Sequence, residues 1–253
     1  MSHKHYAVKI INKFMSNNKT IHNINEIDNM KFIINEVDVC QILMRVHSDN
    51  IVHIHKIYET FSKIYIIMDY IPSGSLEDLI EKNFSSLSIS TKYYIASQLV
   101  SSIHFLHSNN IMHRDVKAGN ILVDKDFHIY LIDYGFSMAV CDNEYLKGSY
   151  GTLCYAPPEM YKNKSYNKSI DIWSLGVTLY YLLYGRVPFA KEKDKLSDVV
   201  YNIFNLPLHF ENSTNDKSKS KLIELIKLSL NRDDKSRVSI ATLVKSIHNN
   251  DIL

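Results

Sequence analysis

Eight consecutive residues, His113-Arg114-Asp115-Val116-Lys117-Ala118-Gly119-Asn120, gather an imidazole, a guanidinium, a carboxylate, an ammonium and an amide. A second carboxylate follows a short distance on, in Asp133-Tyr134-Gly135. Carboxylate and amide oxygens are what a hard divalent cation takes as ligands. A lysine beside them is a compact positive charge, and a carboxylate within reach of a hydroxyl can accept or orient its proton. Together they suit a reaction whose transition state spreads negative charge over several oxygens. A solvated surface loop could carry the same charges. Five fixed residue types in eight, followed in order by Asp-x-Gly, set this string apart from that alternative.

The two strings resemble the catalytic loop and the magnesium loop of eukaryotic protein kinases. What the resemblance implies is phosphoryl transfer from ATP with Mg2+, a reaction of positioning and charge stabilisation. Asp115 would then accept or orient the substrate hydroxyl proton, Lys117 would neutralise the transferring phosphoryl group, and Asn120 and Asp133 would hold the magnesium. A lysine two places after Asp115 resembles the serine/threonine kinases, since tyrosine kinases usually carry another pattern.

Further motifs fall in the order the family has them. Ala7-Val8-Lys9 resembles the third-strand lysine motif, which implies that Lys9 contacts the α- and β-phosphates and that Glu36, on the following helix, holds it. Met68-Asp69-Tyr70-Ile71 resembles the hinge between lobes. By that likeness Met68 backs the adenine pocket, the Asp69 carbonyl and the Ile71 amide bond the adenine edge, and Ala7 and Leu122 sandwich the ring. Taken singly, each of these is an ordinary strand residue or solvated charge; their order relative to Asp115 lifts them above that. Gly151-Thr152 and Tyr155-Ala156-Pro157-Pro158-Glu159 resemble the end of an activation segment, and Asp171 to Gly176 the start of the large lobe's central helix. Arg237 stands where the family places a partner for Glu159, with a plain surface arginine as the even alternative. Cys40, Ile54, His113, Tyr134 and Asp171 line up with the stack that links the lobes in active kinases.

Stepping along the chain gives the elements that must position these groups. His5 to Ile11 alternates and is β-branched, so it reads as a strand with Ala7, Lys9 and Ile11 on one face. Asn12 to about Asn25 is polar and asparagine-rich and reads as a loop. From Ile27 to Met44, apolar residues recur at Ile33, Val37, Cys40 and Met44, which is helical spacing. Strands are expected near Ile51–Tyr58 and Lys63–Asp69, and Pro72-Ser73-Gly74 makes a turn at the lobe boundary. Beyond it the pattern is helical: Thr91–His107, with Ile95, Leu99, Ile103 and Leu106 on one stripe; Ser169–Tyr184, apolar nearly all round; then Lys195–Phe204, Lys219–Leu230 and Ile240–Ile247, with a polar loop from Asn212 to Ser220. The expected fold is α+β: a bilobal protein-kinase fold whose small β-rich lobe, residues 1–71, lacks the family's first two strands, with a large mainly helical lobe at 72–253. The two lobes make one kinase domain.

Composition bounds the partners. Twenty-nine basic and 27 acidic residues leave a formal charge of +2, which gives no reason to expect a nucleic acid or an acidic membrane. The scattered cysteines Cys40, Cys141 and Cys154 form no C-x-x-C pair and point to a reducing compartment. The N-terminus has no apolar signal core and no myristoylation glycine, and the longest apolar stretch, Leu175 to Leu183, is too short to span a bilayer. The expectation is a cytosolic chain, with the nucleus also open, whose partner is a protein bearing a Ser or Thr acceptor.

The closest resemblance within the family is to calcium/calmodulin-dependent and calcium-dependent protein kinases, carried by Asp133-Tyr134-Gly135-Phe136-Ser137 and by Ser174 through Gly185 to Pro188-Phe189, while His113 to Asn120, with Ala118-Gly119, also resembles other serine/threonine groups. The chain has no D-x-D-x-D-G loop and stops where a calmodulin-binding tail would start, so no calcium site is expected in it. The seven glycines are Gly74, Gly119, Gly135, Gly148, Gly151, Gly176 and Gly185, and none precedes Lys9. No glycine-rich phosphate loop is therefore expected, with a start assigned too late as the cause. Weak ATP binding and an exposed edge at Tyr6–Ile11 should follow. Ser75 and Gly119 stand where members selecting arginine upstream of the target often carry an acid, so that preference is not expected to follow from the motif. Arg114 could bind a phosphate on the activation segment, with Ser149 and Tyr150 as acceptors, while Thr152 is expected to hydrogen-bond Asp115 and Lys117 instead. The rival to an enzyme is a kinase fold that has lost catalysis and serves as a scaffold.

Overall fold

The computed structural model describes residues 4–14, 26–72, 74–141, 144–148, 150–162, 164–191, 193–210 and 216–248. The small lobe is a three-stranded antiparallel sheet and one helix. Strand β1 (Tyr6–Asn12) is followed by helix α1 (Glu26–Leu43) and strands β2 (Ile54–Glu59) and β3 (Lys63–Asp69), in the sheet order β1-β3-β2. The register sets Lys9 opposite Ile66 and Ala7 opposite Met68. Alternation in β1 is as its pattern demands: Ala7, Lys9 and Ile11 turn inward, while Tyr6, Val8 and Ile10 stay about half exposed. Among the described residues β1 pairs only with β3, so its outer edge is open.

Two boundaries differ from the pattern-based reading. Met44 lies past the last turn of α1 and is exposed; Val39 and Leu43, with Ile33 and Cys40, complete the buried stripe instead. The second strand begins at Ile54, and Ile51 reaches across to make an isolated parallel bridge with Leu131. The expected loop at Asn12 to Asn25 falls mainly outside the described residues, as does Ser73 of the expected turn.

The large lobe is built on helices. Helix α2 (Leu76–Asn83) opens on a capping box in which Ser75 Oγ accepts from the Asp78 amide and Asp78 accepts from the Ser75 amide. Helix α3 (Ile89–Ser108) buries Ile95, Leu99, Ile103 and Leu106 completely. Short pairs follow: β4 (Ile111–Met112) with β7 (Met138–Ala139), and β5 (Ile121–Val123) with β6 (Ile129–Leu131). Helix α4 (Pro158–Tyr161) precedes α5 (Ser169–Tyr184), which is sheathed on nearly every side, as its continuous apolar composition requires. Gly185, at φ +70°, ends it in a left-handed cap.

Helices α6 (Leu196–Asn205), α7 (Lys217–Ser229) and α8 (Ile240–His248) complete the lobe. Residues 217–220 are helical rather than loop, because the Asp216 side chain accepts from the Lys219 amide and starts α7 there. Asn212 to Asn215 of that expected loop lie outside the described residues. Gly176 of α5 lets α7 approach closely: a Cβ there would stand 2.7 Å from Ser229 Cβ.

Candidate active site

The eight-residue string forms a loop between β4 and β5 whose shape is set from below by α5. Asp171, fully buried in the first turn of α5, accepts from the His113 amide at 2.9 Å and the Arg114 amide at 2.8 Å. Its Oδ2 also meets His107 Nε2 at 2.9 Å. Burial would raise the Asp171 pKa, and these contacts to His107 and His113 more than offset it, holding the carboxyl below its ordinary value. The two amide bonds hold Arg114 at φ +66°, a backbone region that costs a non-glycine residue energy.

That turn delivers Asp115 into a set of donors. Asn120 Nδ2 donates to its Oδ2 at 2.9 Å, and Lys117 Nζ lies 2.9 Å from the same oxygen. Oδ1 accepts from the Thr152 hydroxyl at 2.9 Å and the Thr152 amide at 3.0 Å. Lys117 Nζ also donates to Thr152 Oγ1 at 2.8 Å, so Thr152 ties to both residues. Gly151 makes this approach possible: it sits at φ +88°, and a Cβ there would lie 2.5 Å from the Arg114 carbonyl.

Across the cleft, Lys9 Nζ reaches Glu36 Oε1 at 2.6 Å and Asp133 Oδ1 at 2.7 Å, joining β1, α1 and the Asp-x-Gly turn. Burial works to lower the Lys9 pKa; the charges of Glu36 and Asp133 overcome it and set the value above that of ordinary lysine. For Glu36, burial outweighs the attraction of Lys9 and raises the pKa. For Asp133 the balance is reversed: burial acts upward, but Lys9 holds the carboxyl below its usual range. Asp133 itself lies at φ +64°.

A cavity of about 370 Å³ opens between the lobes, with Ala7, Lys9, Glu36, Met68, Asn120 and Asp133 in its walls. Val52, Ile66 and Ile132 also line it and were not singled out from sequence; the alternation of β3 already put Ile66 on the face of Met68. Asp69, Ile71 and Leu122 lie outside those walls. The Asp69 carboxylate turns to His55 Nε2 at 2.8 Å and Lys4 Nζ at 3.3 Å. Leu122 is engaged in β5, opposite Tyr130 and bridged to Ser75, and Ile71 follows the end of β3 half buried.

Cys40, Ile54, His113, Tyr134 and Asp171 are all buried. The His113 and Tyr134 rings meet at 5.6 Å, and the Tyr134 hydroxyl donates to the Leu131 carbonyl at 3.0 Å, which satisfies it. Burial pushes the Cys40 thiol up to about 12, so it is an inert packing group. Arg237 makes two bonds to Glu159, at 2.6 and 3.0 Å, and is buried rather than a surface arginine. Ser75 serves as the α2 cap, and the space beside Gly119 is taken by the Glu77 carboxylate, whose Oε2 lies 3.0 Å from where a Cβ would be. Ser149 lies outside the described residues.

The donor set fits a magnesium ion. Asn120 Nδ2 is committed to Asp115, which leaves Oδ1 as its ligand atom, and Asp133 lines the same cavity. No group of three or more His, Cys, Asp or Glu residues able to hold a metal occurs among the described residues. A two-oxygen protein contribution suits an ion that keeps several waters and takes further ligands from phosphates.

The protein kinase domain family matches residues 1–248. A SNF1-related protein kinase catalytic subunit alpha, KIN12, of Arabidopsis thaliana is 33% identical over 83% of this chain and 40% of its own length. Calcium-dependent protein kinase 5 of Plasmodium falciparum is 35% identical over 94% of the chain and 39% of its own length. Probable serine/threonine-protein kinase fhkC of Dictyostelium discoideum is 34% identical over 78% and 34%. The chain thus spans about two fifths or less of these relatives, and its likeness to calcium-dependent kinases is shared with a SNF1-related one. With its family match running over nearly all of its length, the chain belongs to the protein kinase family.

Proposed function

We propose that this chain is the catalytic domain of a serine/threonine protein kinase, which moves the γ-phosphoryl group of ATP to a protein Ser or Thr hydroxyl. The observation that carries the reading is the convergence of Lys9, Glu36 and Asp133, brought from three distant stretches of sequence to within 2.7 Å of one ammonium group. Asp115 orients the acceptor hydroxyl and takes its proton, held for that task by Asn120 and Thr152. Lys117, beside Asp115, balances charge on the transferring group. Lys9 holds the α- and β-phosphates, and Asn120 and Asp133 supply magnesium's protein ligands. Magnesium held there would supply positive charge that offsets the charge of the transferring group. Ala7 and Met68, opposite each other in the sheet, offer an apolar wall for the adenine ring.

Lys9, Glu36, Asp115, Asn120 and Asp133 are all present and tied to partners, which favours the enzyme over the scaffold reading, whose support is the lack of any glycine before Lys9. Three free cysteines support placing the chain in a reducing compartment such as the cytosol. The test is transfer of labelled phosphate from ATP to a basic protein, with and without magnesium, beside an Asp115→Asn variant. Transfer should require magnesium, appear on Ser or Thr, and fall about a thousandfold in the variant. Silence from a folded wild-type chain, or label on tyrosine alone, would overturn the reading.

A further inference from the structure

Tyr150 has no part in the chemistry above, yet it is seated with care. It lies in Gly148-Ser149-Tyr150-Gly151. Gly148 adopts φ +111°, and a Cβ there would come within 2.6 Å of the Tyr150 ring. Gly151, at φ +88°, admits the next close approach, to the Arg114 carbonyl. A side chain at Gly148 would therefore unseat the tyrosine, and one at Gly151 would press on the catalytic loop.

The seat is one corner of a closed circuit of four residues. The Arg114 guanidinium lies 5.0 Å from the Tyr150 ring centroid, a cation over an aromatic face. The same ring meets Phe32 edge-on, with centroids 5.0 Å apart and planes at 78°. Phe32 meets Phe136 at 5.8 Å and 84°, and Arg114 Nε donates back to the Phe136 carbonyl. The circuit joins four segments: the catalytic loop, the stretch just after the Asp-x-Gly turn, the activation segment and α1. Phe32 lies four residues before Glu36, one turn away on the same side of α1. Whatever fixes Phe32 thus fixes the carboxylate that holds Lys9.

We propose that Tyr150 is a positioning residue of the phosphoryl-transfer site, clamping α1 to the catalytic loop through Phe32 and Arg114 and holding Glu36 against Lys9 with no phosphate on the activation segment. The effect on turnover rests on the kinase reading; the clamp itself does not. An uncharged aromatic ring occupies the guanidinium that a phosphate would otherwise take, so the aligned state is reached by folding alone.

The experiment compares the phosphatase-treated chain with Tyr150→Phe, Tyr150→Leu and Phe32→Leu, by amide hydrogen exchange across α1 and by steady-state turnover. Tyr150→Phe should match wild type in both. Tyr150→Leu should speed α1 exchange about tenfold, the loss of one cation–π and one aromatic contact. It should lower kcat while leaving KM for the protein substrate nearly unchanged. If Tyr150→Leu does not fold, Phe32→Leu reads the same contact from the other side. Unchanged α1 exchange in the folded variants, or α1 protection that appears only once the chain is phosphorylated, would overturn the clamp. Lost protection in a chain that transfers no phosphate would sustain the clamp and overturn the kinase reading instead.

Discussion

Arg237 and Glu159, 78 residues apart, meet through two nearly parallel N–H···O bonds with both side chains almost wholly out of solvent. Arg237 also donates to the Asn231 and Ser169 carbonyls and lies over the Trp173 ring at 5.2 Å. One guanidinium thus fastens the end of the activation segment, the start of α5 and the turn before α8. Removing one member of such a pair strands a buried charge. Arg237→Ala should therefore cost about 3–5 kcal/mol in denaturant unfolding. A loss below about 1 kcal/mol would mean that the pair is solvated in solution.

Lys9→Met removes the cation shared by Glu36 and Asp133 while keeping most of the side chain's bulk. Phosphate transfer should fall about a hundredfold in kcat/KM, the range seen when one preorganised charge is deleted. Lys9 and Asp133 are each about a third or more exposed, so solvent screens the lost charge and the thermal midpoint should move little. Steady-state kinetics beside a melting curve separate the two effects; a collapse of the melting transition would assign Lys9 to the fold instead.

The His113 imidazole gives the stability a pH dependence whose sign follows from its burial. Burial holds its folded pKa below the ordinary value, against the pull of Asp171 and Asp115. In the unfolded chain it titrates near about 6.5. Its contribution is complete above that pH and is lost as pH falls toward the folded pKa. Asp171, also lowered, adds a second loss below about 4, the ordinary carboxylate range. Unfolding free energy should be level near neutrality and decline below about 6.5, and His113→Phe should flatten that first decline. Equal slopes in the two proteins would remove His113 as the cause.

Gly176→Ala tests the α5–α7 contact, where the added carbon would meet Ser229 and Leu230 within 3 Å. Overpacking of this kind costs about 1–3 kcal/mol. Activity at low temperature should persist, since Asp171 lies more than one turn before Gly176 in α5. A variant as stable as wild type would mean that α7 can shift at little cost.

The catalytic loop was legible because its chemistry is contiguous: Asp115, Lys117 and Asn120 lie within six residues of one another and need only one turn to meet. Lys9 and Glu36 were legible through order and through the period-two strand and the helix that carry them. The buried pairing of Arg237 with Glu159 was legible only as one of two even readings, since nothing local distinguishes it from a surface arginine until α5 and the activation segment close over it. Phe32 escaped notice, and Tyr150 was read only as a phosphate acceptor, for a related reason. Their partners come from four separate segments, and the local sign is only a pair of glycines around an aromatic residue. Asp69 and Ile71 were read from likeness to a hinge and Leu122 as a face for the ring opposite Ala7, and none of the three is among the residues that line the cavity.

Asp171 carries a consequence for the timing of the entropy loss in the reaction. Both its oxygens are engaged by backbone amides, and these bonds keep Arg114 in a backbone region it would rarely visit alone. The freedom of the catalytic loop is therefore surrendered once, when the chain folds around α5, and not at each turnover. With Asp115 in its proposed role, an acceptor hydroxyl arriving there would meet a carboxylate already aimed, and its binding energy could go to the transition state instead of to arranging the loop.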